Sequence, residues 1–367
     1  MRQLLGTALD QASADVQARF AALTTGPPAA DVSKAADAEE RLIADTNIGA
    51  ALHWLDQAAG WEPGTARGDV ASRLAQLDVW QLRDRANRRS RVDQLQIAEA
   101  LASYYTDPPA DYGRYAAGND ALTSVMTSPG WLELDCPLTS TAGRLSVAST
   151  SADMSVHLDA ESASHAAQRL AETLALGVRM VDMPLFGLRA ISAHKGTISG
   201  SVDVSRFVRY ALTLDLLEGE LVDALAADAP TGPGSLPLRD RYLPDVGAVL
   251  DLPNRLCAGG TLALCAIARP ASPYRGPADY VLLVQERSGH VVNAARRLAV
   301  IPKGFHQPMT DYRADAHIGA TLRREMEEEL FGRDETDNTV ADQRRADPMH
   351  PSRLSDPMSW LLAQPGR

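Results

Sequence analysis

The sequence predicts an α+β multidomain chain: a helical N-terminal region, a mixed α/β middle and a C-terminal α/β unit. Three observations carry this. Apolar residues recur at three- and four-residue spacing through about the first 125 of the 367 residues. Short alternating and β-branched runs begin only near Trp131. A Pro/Gly-rich stretch, Ala229 to Leu238 (APTGPGSLPL), then separates the middle from the region holding the strongest strand runs. Helical and strand periodicities of these kinds mark buried faces of helices and half-buried strands.

Within residues 1–125, Leu42, Ile48, Leu52 and Leu55, and later Val92, Leu95, Ile97 and Leu101, supply the helical faces. Thr24 to Ala30, Gly60 to Gly68 and residues 108–119 read as breaks, because Gly and Pro cluster there. In the middle region, 126–228, Trp131 to Leu138 (WLELDCPL) alternates as a strand should. Leu145 to Val147, Met154 to Leu158 and Val178 to Met183 are further strand expectations. Ala160 to Leu176 is expected to be a helix. Val202 to Ala226 is expected to be a long helix with Phe207, Tyr210, Leu214, Leu217 and Leu221 on one face. Residues 229–257 read as a linker.

In the last region, Thr261 to Ala268 (TLALCAIA) and Tyr280 to Glu286 (YVLLVQE) are strand expectations. A turn at Ser288 to His290, a strand at Val291 and Val292, and a strand at Leu298 to Ile301 follow. Ala316 to Phe331 reads as a helix stopped by Gly332. Residues 333–367 read as a polar tail interrupted only by Trp360 to Leu362.

The charge balance narrows function. There are 36 basic and 47 acidic residues, a formal net charge of −11. Such a surface disfavours nucleic acid or anionic lipid as a general partner, since phosphate binding needs local positive potential. Lys34, Lys195 and Lys303 are the only lysines; the other basic residues are arginines. The dense basic cluster is Arg83, Arg85, Arg88, Arg89 and Arg91, the one segment where nucleic acid could be met; pairing with acids such as Asp84 and Asp93 is the plainer reading. Three scattered cysteines, Cys136, Cys257 and Cys265, suggest a reducing compartment and a cytoplasmic protein. No run of about 18 apolar residues is present, which argues against a membrane span.

Chemistry concentrates in Ile301 to Gly332 (IPKGFHQPMTDYRADAHIGATLRREMEEELFG). Glu325, Glu328 and Glu329 stand at i, i+3 and i+4, so three carboxylates share one helix face. Their repulsion would be relieved by a divalent cation, and Mg²⁺ prefers carboxylate oxygens and phosphates. Arg324 could orient a carboxylate or grip a phosphate. The opposite stripe, Ile318, Leu322, Met326 and Leu330, is expected to anchor the helix to a sheet. A Glu-rich helix with a solvated acidic face is the competing reading. His306, close to Gly304, could approach a substrate phosphate or transfer protons, or be an ordinary loop histidine. His194 and Lys195 before Gly196 form a turn with weak anion-binding character, and His53 reads as structural.

This stretch resembles the Nudix hydrolase family. Arg324-Glu325-Met326-Glu327-Glu328-Glu329 matches the family's Arg-Glu-apolar-x-Glu-Glu core, and Pro302-Lys303-Gly304-Phe305 resembles its glycine lead-in. The resemblance spans residues 258–332, about a fifth of the chain. It implies an α/β/α sandwich and Mg²⁺ (or Mn²⁺) held by Glu325, Glu328 and Glu329. It implies hydrolysis of a nucleoside-diphosphate-linked substrate, with Glu328, Glu329 and Arg324 in the catalytic set and Gly304, Lys303 and His306 near the bound nucleotide-type molecule. The motif's first Glu falls on Thr310 counted forward from Gly304, or on Ala316 counted back from Arg324. The intervening loop is longer by six residues, and Phe331 occupies the late glycine position. The 35 residues after Gly332 offer little to complete a sandwich, so the unit is expected to be incomplete. Family members with broken motifs bind ligands without hydrolysis, which makes a ligand-sensing or transcriptional regulatory protein the alternative. Trp61-Glu62-Pro63-Gly64-Thr65, after a helix, faintly resembles the end of a helix-turn-helix unit.

Overall fold

A computed structural model describes residues 29–106, 112–136, 143–149, 156–286, 298–333 and 349–364. It shows a mixed α/β chain of helices and small sheets. The expectations for Met1 to Ala21, for Ser288 to His290, for Val291 and Val292, and for 334–348 lie outside the described residues.

The helical expectation for the first region holds over residues 29–104, as α1 (Ala29–Ala44), α2 (Ile48–Ala59), α3 (Thr65–Gln76), α4 (Val79–Arg89) and α5 (Gln94–Tyr104), and fails over 113–125, which lie in a pair of strands. Local chemistry sets their ends. The Asp78 carboxylate accepts the Trp80 N–H at 2.8 Å and starts α4. Asp93 and Gln96 form a reciprocal capping box at α5. Between α2 and α3 the turn uses Gly60 and Gly64 at φ 65° and 93°, a region that favours glycine. There Asp56, buried at the end of α2, accepts the N–H groups of Gly64 and Ala66 at 2.7 Å each. One carboxylate thereby fixes how α3 leaves α2.

A hairpin, β1 (Gly113–Ala117) and β2 (Ala121–Thr127), forms in and beyond the stretch expected to be a loop. The strand expected at Trp131 to Leu138 is absent over its described residues, 131–136. Pro129 to Trp131 makes a short 3-10 turn, and no described strand pairs with the residues that follow. Alternation alone cannot make a strand without a partner.

The middle sheet has the order β3 (Gly143–Ser149), β5 (Thr197–Arg206), β4 (Pro184–His194). β4 and β5 are an antiparallel hairpin, and β3 runs parallel to β5. Helix α6 (Ala160–Ala175) agrees with its expectation. Three expectations are corrected. The strand Met154 to Leu158 is absent over its described residues, 156–158, where the Leu158 N–H instead bonds the Ala58 carbonyl at 2.8 Å. Val178 to Met183 forms no strand, although Met180 is buried. The long helix Val202 to Ala226 divides: Val202 to Arg206 belongs to β5, followed by α7 (Phe207–Ala211) and α8 (Leu214–Ala226). The reason is period. Val202 and Val204 alternate with Asp203 and Ser205, so the two valines pack with Leu145, Phe186 and Ala316 on one face of the sheet.

The largest core joins α1, α2, α3, α6, the start of β4 and α7 through residues such as Leu55, Val70, Leu170, Leu185 and Phe207. A second core joins α5 and α8 to α9 (Pro237–Tyr242) and α10 (Val246–Leu250). Residues 229–257, read as a linker, are therefore folded. Leu236, Leu238, Val246 and Val249 are buried, and Glu220 of α8 accepts the N–H groups of Leu238 and Arg239 at 2.8 and 3.0 Å.

Six short strands follow: β6 (Gly260–Leu262), β7 (Ala266–Arg269), β8 (Asp279–Leu282), β9 (Val284–Glu286), β10 (Leu298–Val300) and β11 (Lys303–Phe305). They pair β6 with β11, β7 with β8 and β9 with β10, all antiparallel. Then come α11 (Tyr312–Asp315) and α12 (Ile318–Glu329), with Gly332 at φ 74° just beyond. Part of the expected polar tail folds as α13 (Asp356–Leu362), whose Met358 is buried. No described helix is long and apolar enough to cross a membrane.

Replacing Asp56 by Ala should lower stability by about 1–2 kcal/mol, because the buried Ala66 N–H and the Gly64 N–H lose their acceptor. Asp84→Ala, which removes only the exposed pair with Arg88, should cost less than about 0.5 kcal/mol. Urea unfolding of both variants tests the contrast.

Candidate site at the β11–α12 junction

The site is built on a backbone junction. Phe186 of β4 donates its N–H to the His306 carbonyl at 2.8 Å and accepts from the Gly259 N–H at 2.9 Å. His306 in turn donates its N–H to the Gly259 carbonyl at 2.9 Å. These bonds place the end of β11 beside the middle sheet. The His306 ring is buried against Phe186, with ring centroids 4.7 Å apart. Its Nε2 faces the Ala316 carbonyl at 3.3 Å, which can only accept, so Nε2 carries the proton. Nδ1 then accepts from the Thr321 hydroxyl at 2.8 Å. Burial pushes this imidazole down to about 4, so it is neutral near pH 7. In this placement His306 joins β11 to α12 and is enclosed by protein.

Helix α12 presents its polar side inward. Gly319, Thr321, Arg324, Glu325 and Glu327 are its buried residues. The apolar stripe Ile318, Leu322, Met326 and Leu330, expected to be the anchor, is only half-buried. The reason is that the inward polar groups find partners. Arg324 donates from Nη2 to the Phe305 carbonyl at 3.3 Å and to Glu325 Oε1 at 2.8 Å. Glu327 Oε1 accepts the Ser355 N–H at 3.0 Å and its hydroxyl at 3.2 Å, tying down α13.

Gly304 is the position where the absence of a side chain matters. A Cβ there would lie 2.1 Å from Glu325 Oε1 and 2.2 Å from its Cδ. The Glu325 carboxylate therefore rests directly on the β11 backbone. Next to it, Glu329 Oε2 accepts the Lys303 N–H at 2.8 Å. Glu328 and Glu329 are half-buried and close enough to Glu325 to raise its pKa. Burial is the larger cause, and despite Arg324 the carboxyl is pushed up to about 7. Gly304, Lys303, Arg324, Glu325, Glu328 and Glu329 are thus brought together, while His306 lies behind them. Among the described residues, no three His, Cys, Asp or Glu side chains are grouped so as to hold a metal ion.

The loop between β11 and α12 holds a feature that residue counting missed. Thr310 is exposed and Ala316 fully buried. Between them Asp315 Oδ2 accepts the N–H groups of Met309, Thr310 and Asp311 at 2.7, 3.1 and 3.2 Å. The six additional residues are folded around this carboxylate. Its signal was present one position before the counted slot at Ala316.

The Arg83–Arg91 cluster is largely engaged in ion pairs. Arg85 pairs with Glu172 of α6, Arg88 with Asp84 and Arg89 with Asp223 of α8, while Arg83 lies over the Trp80 ring. Asp93 caps α5. In α3, which follows the Trp61 to Thr65 turn, Arg67 pairs with Glu39 and Arg73 with Asp69. Compared with known proteins, the chain matches no family model, no curated protein and no solved structure.

Gly304→Ala should destabilise the protein by about 1–3 kcal/mol, since the added methyl has no room beside Glu325. Gly260→Ala, one strand away, meets only the Gly304 carbonyl at 3.6 Å and should be nearly neutral in the same thermal unfolding assay.

The junction also makes opposing contributions to pH dependence. Glu325 titrates higher when folded than its usual 4.5, so its favourable contribution is complete below about 4.5 and is lost as pH rises to about 7. His306 titrates lower when folded than its usual 6.5, so its contribution is complete above about 6.5 and is lost as pH falls toward 4. In metal-free buffer, Glu325→Gln should therefore gain stability relative to wild type as pH rises from 4.5 to 7. His306→Gln should gain relative to wild type as pH falls from 6.5 to 4. Each change should be on the order of 1–3 kcal/mol, read from denaturant midpoints across pH.

Proposed function

We propose that residues 258–332 act as a Nudix-like phosphoanhydride hydrolase that uses Mg²⁺ or Mn²⁺ on a nucleoside-diphosphate-linked substrate. The observation that carries this is the Glu325 carboxylate resting on Gly304 and held by Arg324, with Glu329 bonded to the neighbouring Lys303 N–H and Glu328 near enough to raise the Glu325 pKa. A carboxyl pushed up to about 7 by burial and by two like-charged neighbours is one whose ionised form a divalent cation would favour. The donors are carboxylate oxygens, which suit Mg²⁺. Glu325, Glu328 and Glu329 would hold the ion. When bound, it would neutralise pyrophosphate charge and make water a better nucleophile.

The roles of the protein groups follow from their contacts. Arg324 positions Glu325 and is itself fixed by the Phe305 carbonyl. Glu329 fixes the β11 backbone at Lys303, placing that cationic residue at the edge of the acidic face. Glu328 and Glu329 are the groups assigned to water activation. His306 supports the loop rather than the phosphate. The nucleotide-type partner and a cytoplasmic setting belong to this same reading.

A second reading has its own observation. Thr310 is neutral, Ala316 is sealed in the core, and the nearby Asp315 carboxylate is occupied by three N–H groups. The loop's other acid, Asp311, caps α11 through the Arg313 and Ala314 N–H groups, and neither counted position of the motif's first Glu is acidic, which favours a ligand-sensing or regulatory protein that binds without hydrolysis.

The two readings separate in one assay. Phosphate release should be measured on a panel of nucleoside diphosphate derivatives with Mg²⁺ or Mn²⁺. Hydrolysis should appear and fall at least 100-fold in Glu328→Gln or Glu329→Gln, the scale for removing a principal catalytic group. Wild-type release no greater than that of the variants across the panel would defeat the enzymatic reading. Thermal stabilisation by one of those nucleotides without turnover would support the sensor.

A further inference from the structure

Among the described residues, the strands of the last region leave an apolar stripe exposed. Residues 279–286 run as one strand interrupted at Leu283, whose N–H reaches the Cys265 carbonyl at 3.0 Å. Tyr280, Leu282 and Val284 point to one face of it by alternation. Leu298 joins that face, because β10 pairs Val300 with Val284 and Leu298 with Glu286. These four side chains are 67%, 54%, 53% and 74% exposed. The register also sets Leu264 beside Val284, and Leu262 lies two residues further on; both are exposed.

Two physical arguments say that this face is covered in solution. Together the six exposed side chains form an apolar patch at the upper end of the ~300–600 Å² typical of the largest patch on a monomer, a large part of the ~800 Å² of polar and apolar surface that each partner of a stable interface buries. Moreover, two-stranded pairings of three or four residues are marginal in water without a packed face.

We infer that the partner is a second copy of this chain, packed face to face through the stripe about a two-fold axis near Leu283. The order along the strand supports self-recognition. Tyr280, Leu282, Val284 and Glu286 share the face, so an antiparallel copy sets the apolar centre against itself. Tyr280 of one copy then stands opposite Glu286 of the other, a hydroxyl donor opposite a carboxylate acceptor. Both groups are exposed in the single chain and can meet in this way. The Arg269–Asp279 ion pair lies on the other face with Ile267 and is not crowded by the pairing. Aligned packing of this kind is the ordinary way two sheets bury their apolar sides. An interface that uses one patch twice closes after two copies.

Sedimentation velocity over a range of concentrations tests this. The wild-type chain should sediment at twice the chain mass. Leu282→Arg or Val284→Arg should halve that mass with the far-ultraviolet circular dichroism unchanged. Ile267→Arg, on the opposite face, should remain at twice the mass. Should the stripe variants fail to fold, amide exchange of the wild type decides: protection over 279–286 should fall at least tenfold on dilution, while that of α6 stays constant. A wild-type chain that is monomeric at every concentration overturns the inference, whether the stripe is then protected by its own chain or open to a different protein. Equal mass for the Leu282→Arg and Ile267→Arg variants overturns it as well.

Discussion

Two backbone hydrogen bonds of Phe186, to the His306 carbonyl and from the Gly259 N–H, tie the last region of the described chain to the middle sheet, and a third, from the His306 N–H to the Gly259 carbonyl, locks its two anchor points together. Their geometry leaves little choice of residue at the centre: a Cβ on Gly259 would come within 3.1 Å of the His306 Cβ and 3.2 Å of the Phe186 carbonyl oxygen. With the backbone of His306 fixed, its ring has to lie against Phe186. From there its two nitrogens reach the Ala316 carbonyl and the Thr321 hydroxyl, one just before α12 and one in its first turn. The helix carrying the acidic residues is thus positioned by an uncharged histidine, and the price of that arrangement is a side chain that resists protonation.

The position of α12 then determines the environment of each carboxylate. Gly304 lets Glu325 approach the β11 backbone, Arg324 supplies the balancing charge, and Glu329 closes on the Lys303 N–H. Glu327, one residue from Glu328, points elsewhere and holds Ser355. Four glutamates in five residues therefore experience different surroundings, and their differences come from neighbours 20 to 30 residues away. Burial against the β11 backbone is the main reason the Glu325 carboxyl is pushed up to about 7.

The sequence made some of this legible and concealed the rest for identifiable reasons. The gathering of Gly304, Arg324 and the glutamates was readable because the motif's spacing reflects local loop–helix geometry. The end of α12 was readable only to within two residues: the helix stops at Glu329 with Leu330 as its right-handed cap, and Gly332, at φ 74°, turns the chain just beyond. The inward face of α12 was not, since hydrophobic periodicity assumes that burial follows apolarity. Thr321 and Arg324 are buried because His306 and the Phe305 carbonyl take up their hydrogen bonds, and one Glu327 oxygen is held by Ser355 while its other oxygen is buried without a partner. The split at Arg206 was in principle visible: the Val202–Asp203–Val204–Ser205 alternation has a period of two, yet helical spacing downstream absorbed it. The folding of residues 229–257 was obscured by glycine and proline near its start, while Leu236, Val246 and Val249 carried the information that mattered.

The same contrast between satisfied and unsatisfied surface separates the two parts of the last region. Around the β11–α12 junction most buried polar groups find protein partners, Glu327 Oε2 and the Thr261 hydroxyl being exceptions, so the helix can turn its charged side inward and leave its apolar stripe half in water. On strand 279–286 the backbone is paired but the side chains of one face are not packed, and apolar side chains cannot be satisfied by hydrogen bonds as Arg324 or Glu327 are. Their only route to stability is removal of area from water, at about 25 cal/mol per Å². The region is thereby held at one end by hydrogen-bond geometry inside the chain, and its other end is left with a requirement for apolar surface that has to come from another face.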